Sequence, residues 1–241
     1  MIGKIITFVN VKGGSGKTTS VINVGECLSL KGYRVLLIDT DPLSSLTSAV
    51  LSGEVKGNSS LTNIMNENRS ANEVIVNQLK CDILPSDLSL SAADNNFEVV
   101  EKNINLLDHA LKDLNYDFIL IDTSSSLGKM TRNAIYAADY ILIPIQADGF
   151  NMTEFDKMLE VYNKMKRKAN SRMKILGIFV ANKHHGINLP IEVKTMANMT
   201  FGKKMMKTYI RHDLKVSESK DPSSIGTIDY RNLTSEILQK I

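Results

Sequence analysis

The sequence predicts a doubly wound α/β fold, with a mostly parallel sheet and helices on both faces. Three observations predict it. Short runs of β-branched and aliphatic residues alternate with stretches of helical spacing along the 241 residues. That is the pattern of repeated strand–helix–strand crossovers. The first such run leads at once into a glycine-rich turn and a helix. Two later runs end in a carboxylate, Asp39 and Asp122, at the strand edge where open α/β sheets bind ligands.

Composition sets the bounds. Hydrophobic residues make up 43% of the chain, enough for one large core, and no Pro/Gly/Ser-rich linker divides it. A single domain over residues 1–241 is expected. The net charge of +3 is too small to imply nucleic acid by itself. Cys27 and Cys81 belong to no C-x-x-C pair. They read as buried thiols rather than a disulfide or metal site. No signal peptide is expected, since the chain enters a strand at once. No run of 18 apolar residues is present to span a membrane. A reducing cytoplasm fits these features.

The elements follow in order. Ile5-Ile6-Thr7-Phe8-Val9 is a buried strand. Helical spacing runs from Lys17 to Lys31, and Gly32 leads into a second buried strand, Arg34 to Asp39. The unit from Lys4 to Asp39 is therefore a right-handed parallel crossover. Asp39-Thr40-Asp41-Pro42 closes it, and Asp41 reads either as a site carboxylate or as the cap of a turn favoured by Pro42 and Ser44. Leu43 to Ser60 is a polar loop with a short helix, a candidate switch segment. Residues 61–80 read as short helices, 81–85 as a short strand and 98–114 as a helix. Phe118-Ile-Leu-Ile-Asp122 is the next strand, and Thr123 to Gly128 a second switch. A helix ends over Arg132 to Asp139, a strand follows over Tyr140 to Pro144, and Ile145 to Phe150 is a loop. Helical spacing resumes from Met152 to Met165. Ile175 to Asn182 is a strand, residues 189–201 are helical, and Lys207 to Ile210 a last short strand. The final helix carries Tyr230, Leu233, Ile237 and Ile241 on one side.

The chemistry is concentrated in Lys12-Gly13-Gly14-Ser15-Gly16-Lys17-Thr18-Thr19. Gly13, Gly14 and Gly16 can take backbone angles closed to other residues and let the chain lie against a polyphosphate. Loop N–H groups and the helix dipole face the anion. Lys17 supplies a charge to the β- and γ-phosphates, and the Thr18 hydroxyl suits Mg2+. The template G-x-x-x-x-G-K-[ST] would need glycine at position 11, where Val11 stands. A second lysine, Lys12, opens the loop instead.

With that deviant loop the sequence resembles the ParA/MinD family of ATPases, the deviant Walker A branch of the P-loop NTPases. The resemblance covers nearly the whole chain. It includes Val35-Leu-Leu-Ile-Asp-Thr-Asp-Pro42, Tyr116-Asp-Phe-Ile-Leu-Ile-Asp-Thr123, Ser126-Leu-Gly128, Ala137-Ala-Asp139, Ile143-Pro-Ile-Gln146 and Ile210-Arg-His-Asp-Leu-Lys-Val-Ser-Glu218. It is most similar to the small ParA (Soj-like) DNA-segregation ATPases. Departures are visible. Ser124 and Ser125 replace two prolines, Leu43-Ser44 replaces Gln-Gly after Asp-Pro, and Arg211 stands where relatives often have proline.

The resemblance implies a weak ATPase that uses ATP and Mg2+. It implies an ATP-driven sandwich homodimer that binds DNA without sequence preference. A centromere-binding ParB-type adaptor would stimulate hydrolysis and release the dimer. Nucleotide contacts are expected from Lys12, Gly13, Gly14, Ser15, Gly16, Lys17, Thr18 and Thr19. Metal contacts are expected from Thr18 and Asp122, with Asp39 behind them. Lys12, Lys17 and Asp41 are the catalytic candidates, Asp41 for the attacking water and Lys12 for the phosphates of the neighbouring subunit. Asn182 is expected at the adenine, since its amide both donates and accepts, with Ile210, Arg211 and Asp213 flanking the base. A cytoplasmic, nucleoid-associated bacterial protein follows.

A MinD-like membrane-cycling ATPase is the rival within the family. It would need a basic amphipathic C-terminal helix, and the tail from Tyr230 reads as a packing helix. A metabolic kinase or amidoligase on the same loop would need a second substrate pocket, for which no motif is present. Two basic clusters are candidates for DNA. One spans Lys164 to Lys174. The other is Lys203, Lys204, Lys207, Arg211 and Lys215, favoured because it matches the late basic segment of small ParA proteins.

Overall fold

Each aliphatic run forms a strand, and alternate residues of each strand feed opposite faces of one sheet. The computed structural model describes residues 3–51, 60–67, 70–94, 104–146, 152–168, 172–181, 195, 199, 204–213 and 223–241. The strands are β1 (Lys4–Phe8), β2 (Val35–Asp39), β3 (Asp82–Leu84), β4 (Phe118–Asp122), β5 (Tyr140–Gln146) and β6 (Lys174–Ala181). They form a six-stranded sheet in the order β3-β2-β4-β1-β5-β6, parallel at every pairing. The order turns at β1, which lies between β4 and β5. That reversal opens a crevice at the C-terminal strand ends.

One face carries Ile6, Phe8, Val35, Leu37, Leu120 and Leu142. It is covered by α1 (Lys17–Ser29), α2 (Ser45–Leu51) and the C-terminal helix α8 (Ile225–Lys240). The other face carries Ile5, Leu36, Ile38, Ile119 and Ile121 under α3 (Leu61–Glu67), α4 (Leu90–Asp94), α5 (Leu106–Leu111) and α6 (Lys129–Ala137). Ile141, Ile143, Ile145 and Val180 continue that face under α6 and α7 (Met152–Lys168), where Met158 and Met165 are buried core. The doubly wound reading is thereby met. Tyr230, Leu233 and Ile237 of α8 lie buried in the first core, as a packing helix requires. Cys27 and Cys81 are buried and in no disulfide.

Three expected boundaries move. β5 does not stop at Pro144 but runs to Gln146. Proline is tolerated there because β1 has ended at Phe8, so the missing N–H faces no strand. Lys207 to Ile210 is not a strand. It is a segment without regular structure, tied beside β6 by Met206 N–H to Ile178 O and Ile210 N–H to Val180 O. The helix expected over 98–114 is described only as Leu106–Leu111, with 95–103 outside the described residues. The helix expected over 189–201 also lies outside them, apart from residues 195 and 199, which are helical.

Candidate functional site

The phosphate loop leaves β1 at the crevice and enters α1. Gly14 has φ 70° and Gly16 φ 87°, so both need the left-handed region that glycine reaches without strain. A Cβ on Gly16 would also come within 3.1 Å of the Ala181 Cβ on β6. Gly13 differs from the expectation. Its φ is not positive, and an added Cβ would meet nothing within 4 Å. Lys17 is buried behind the loop, its Nζ 3.4 Å from Lys12 O. Burial pulls its pKa down, against the pull of Asp122 and Asp41.

β1 and β4 pair in register, with Phe8 opposite Asp122, which brings the Asp122 carboxylate under the start of α1. Thr18 Oγ1 donates to Asp122 Oδ2 at 2.6 Å. Burial pushes the Asp122 pKa up to about 8, against the Thr18 bond and the Lys17 charge. Among the described residues, two buried side-chain oxygens lack a hydrogen-bond partner, Ser15 Oγ and Asp122 Oδ1. Both belong to this site. An orphaned carboxylate oxygen beside a hydroxyl is a set of hard oxygen donors, and it fits Mg2+. That ion uses one or two protein carboxylates and fills its shell with phosphate and water. Accordingly, no group of three or more His, Cys, Asp or Glu converges on a metal position among the described residues.

Asp39 stands opposite Asp122 in the β2–β4 register but is occupied elsewhere. Its Oδ2 accepts both the N–H and the Oγ1 of Thr47 at 2.8 Å, and its Oδ1 accepts the Asp41 N–H at 3.0 Å. Burial raises its pKa even against these three donors. Asp39 thus fixes the turn that carries Asp41, on the strand next to Asp122. Asp41 does cap its turn, accepting the Leu43 N–H at 2.9 Å. Ser86 Oγ donates to Asp41 O at 2.8 Å, and Ser86 N–H donates to Thr47 Oγ1 at 3.0 Å. Thr47 and Ser86 gave no sequence signal, because each acts through a partner distant in the chain.

The comparisons with known proteins decide the family. A model of the AAA domain matches residues 3–175. The chromosome-partitioning ATPase Soj of Treponema pallidum is 31% identical over 264 residues, covering 99% of this chain and 98% of that protein. The chain belongs to the ParA/MinD family. A putative plasmid partition protein from Borrelia burgdorferi, solved bound to AMPPNP, matches the whole chain with TM-score 0.83 and 28% identity, covering 100% of both chains. A cobyrinic acid a,c-diamide synthase from Mycobacterium smegmatis, solved with an ATP analogue and magnesium, has TM-score 0.87 at 23% identity, covering 99% of this chain and 95% of that one. That likeness speaks for the shared fold alone.

The late segment of this ParA/MinD chain is splinted to α8. Arg211 makes a two-pronged pair with Asp229, Nε to Oδ2 at 2.9 Å and Nη2 to Oδ1 at 2.7 Å, and its own N–H also bonds Oδ2. An ion pair together with the backbone bond holds the chain at Arg211. The Arg211 guanidinium, a residue of the second basic cluster, is paired with Asp229. Asp213 Oδ2 accepts the Gly226 N–H at 3.0 Å, and Glu236 accepts the N–H groups of Lys207 and Thr208. Ile210 is buried in the core beside α8. Lys204 Nζ donates to Ile175 O at 2.6 Å. Asn182, Lys203 and Lys215 lie outside the described residues.

Proposed function

We propose that the chain is a partition ATPase, a single ParA-type domain over residues 1–241. It binds ATP with Mg2+ and hydrolyses it slowly. The observation that carries this is the Thr18–Asp122 pair beneath the phosphate loop, with Asp122 Oδ1 left without a partner. Phosphoryl transfer needs positioning and charge neutralisation, and these residues supply both. Thr18 and Asp122 would hold Mg2+, which neutralises charge on the β- and γ-phosphates when bound. Lys17 places its ammonium at the same phosphates. Asp41 orients the attacking water and takes its proton, on a turn that Asp39, Thr47 and Ser86 keep in place. Lys12 reaches the phosphates of a second copy, so ATP stabilises a sandwich dimer. The dimer doubles each basic patch and binds DNA without sequence preference until a ParB-type adaptor stimulates hydrolysis. Asn182, Ile210, Arg211 and Asp213 surround the base.

A MinD-like membrane cycle asks for an amphipathic C-terminal helix free to insert. Here the apolar side of α8 is buried against α1 and the sheet, which favours the DNA reading. A mobility shift on unrelated DNA tests it, with ATP, ADP and no nucleotide across a salt series. Binding only with ATP, weakening steeply with salt, is expected. No binding at low salt, with ATP-dependent sedimentation on anionic vesicles, would select the membrane cycle.

A further inference from the structure

The edge of β5 beyond the end of β1 points to a residue that sets the phosphate loop. β1 and β5 pair from Ile6 opposite Tyr140 to Phe8 opposite Leu142. β1 then ends, but bonding to the same edge of β5 continues at every second residue. Val9 N–H donates to Leu142 O at 3.1 Å. Asn10 Nδ2 donates to Pro144 O at 2.6 Å, while Asn10 Oδ1 accepts the Lys12 N–H at 2.9 Å. Gln146 Nε2 donates to Gly14 O at 2.6 Å. Leu142 and Pro144 take part through their carbonyls and Gln146 through its side chain, so two side-chain amides, of Asn10 and Gln146, join the loop to β5 after the backbone of β1 has turned away.

The bond from Gln146 has a consequence fixed by covalent geometry. A trans peptide holds its C=O and N–H antiparallel. With Gly14 O tied to β5, the Ser15 N–H points the opposite way, off β5. Gly14, at φ 70°, is a residue whose flanking peptides turn over easily, so without the tie this orientation is not fixed. Lys12 N–H is spent on Asn10 and is no phosphate donor in this arrangement. We propose that Gln146 is a positioning residue of the nucleotide site, which locks the Gly14–Ser15 peptide so that the Ser15 N–H faces the bound polyphosphate. This rests on the reading of the loop as an ATP site.

The test is Mg-ADP and Mg-ATP affinity by calorimetry for wild type and Gln146→Met, which keeps length and neutrality and removes the donor. The melting temperature of the nucleotide-free chain is measured beside it. The expected result is a loss of about tenfold or more in affinity for both nucleotides, the scale of one hydrogen bond to a charged group. The nucleotide-free melting temperature should stay at the wild-type value, and KM should rise while kcat holds, because the bond serves ground and transition state alike. Wild-type affinity in Gln146→Met overturns the assignment. So does an affinity loss matched by an equal fall in nucleotide-free stability, which marks a merely structural bond. A wild-type chain that binds neither nucleotide overturns the ATP reading itself, a failure distinct from that of the variant.

Discussion

Thr47 donates twice to one oxygen of Asp39, through its N–H and its hydroxyl, each at 2.8 Å. A β2 carboxylate is thereby welded to the first turn of α2. Thr47→Val keeps the shape and removes the hydroxyl, which also accepts the Ser86 N–H. Thr47 is buried, so the lost bonds should lower stability by about 1–3 kcal/mol. Urea denaturation measures it. The same variant should slow hydrolysis more than it weakens ATP binding, since the turn it loosens carries Asp41. Unchanged stability and turnover would separate Thr47 from the site.

Asp41 itself caps a turn, and its charge acts on Lys17 of the loop. Asp41→Ala should keep ATP binding and lose turnover. A cap lost without catalytic consequence would cost about 1 kcal/mol of stability and nothing else. Partner-stimulated hydrolysis at the wild-type rate would leave Asp41 as a cap only.

Asp122 sets stability against function. Burial raises its pKa from 3.8 to about 8. A raised carboxylate pKa means the nucleotide-free fold keeps a proton that the unfolded chain gives up. Its contribution is complete below pH 3.8 and is lost as pH rises through about 8. Asp122→Asn has no proton to lose. It should be more stable than wild type at about pH 9 and much closer to it at about pH 5, while Mg2+-dependent nucleotide binding falls. Thermal melts at the two values decide it. A stability gap that does not widen with pH means that Asp122 is not titrating as its burial dictates.

Lys12 stands at the start of the loop, and in the proposed sandwich dimer its side chain would extend to the phosphates of the second copy. Lys12→Ala should abolish ATP-dependent dimerisation and leave the monomer folded. Sedimentation with a non-hydrolysable ATP analogue checks it, and an intact mutant dimer rejects the role.

How much of this was legible in the sequence depends on how local each relationship is. The loop from Lys12 to Thr19 could be read because its residues are consecutive, and Asp39 and Asp122 because each ends an aliphatic run. Thr18 meeting Asp122 follows from the strand order, which those runs suggest but do not dictate. The Arg211–Asp229 pair could not be read, because it joins residues 18 apart across two elements. It makes Arg211 a brace between the late segment and α8. The sequence places Gln146 in a loop after a strand over Tyr140 to Pro144, whereas β5 runs on to Gln146. Only the early end of β1 shows why a proline is tolerated there.

Lys204 of the second basic cluster feels the charges of Lys166 and Lys174 of the first, and this changes which lysines DNA should meet. Lys204 is crowded by Lys166 near the end of α7, by Lys240 at the end of α8 and by Lys174 at the start of β6. Burial first, then these three charges, lower its pKa. Like charges gathered this way repel one another, and a polyanion relieves that repulsion. Lys204 is a poor probe, since its Nζ also bonds Ile175 O and its loss would disturb β6. Lys166→Glu, Lys174→Glu and Lys240→Glu leave that bond alone. Together they should weaken ATP-dependent DNA binding on every sequence. Each phosphate contact removed should flatten the plot of log affinity against log salt by about one unit. If the triple variant binds with wild-type affinity and salt slope, while Lys207→Glu does not, the contact lies along the late segment alone. If neither change matters, DNA binds on another face.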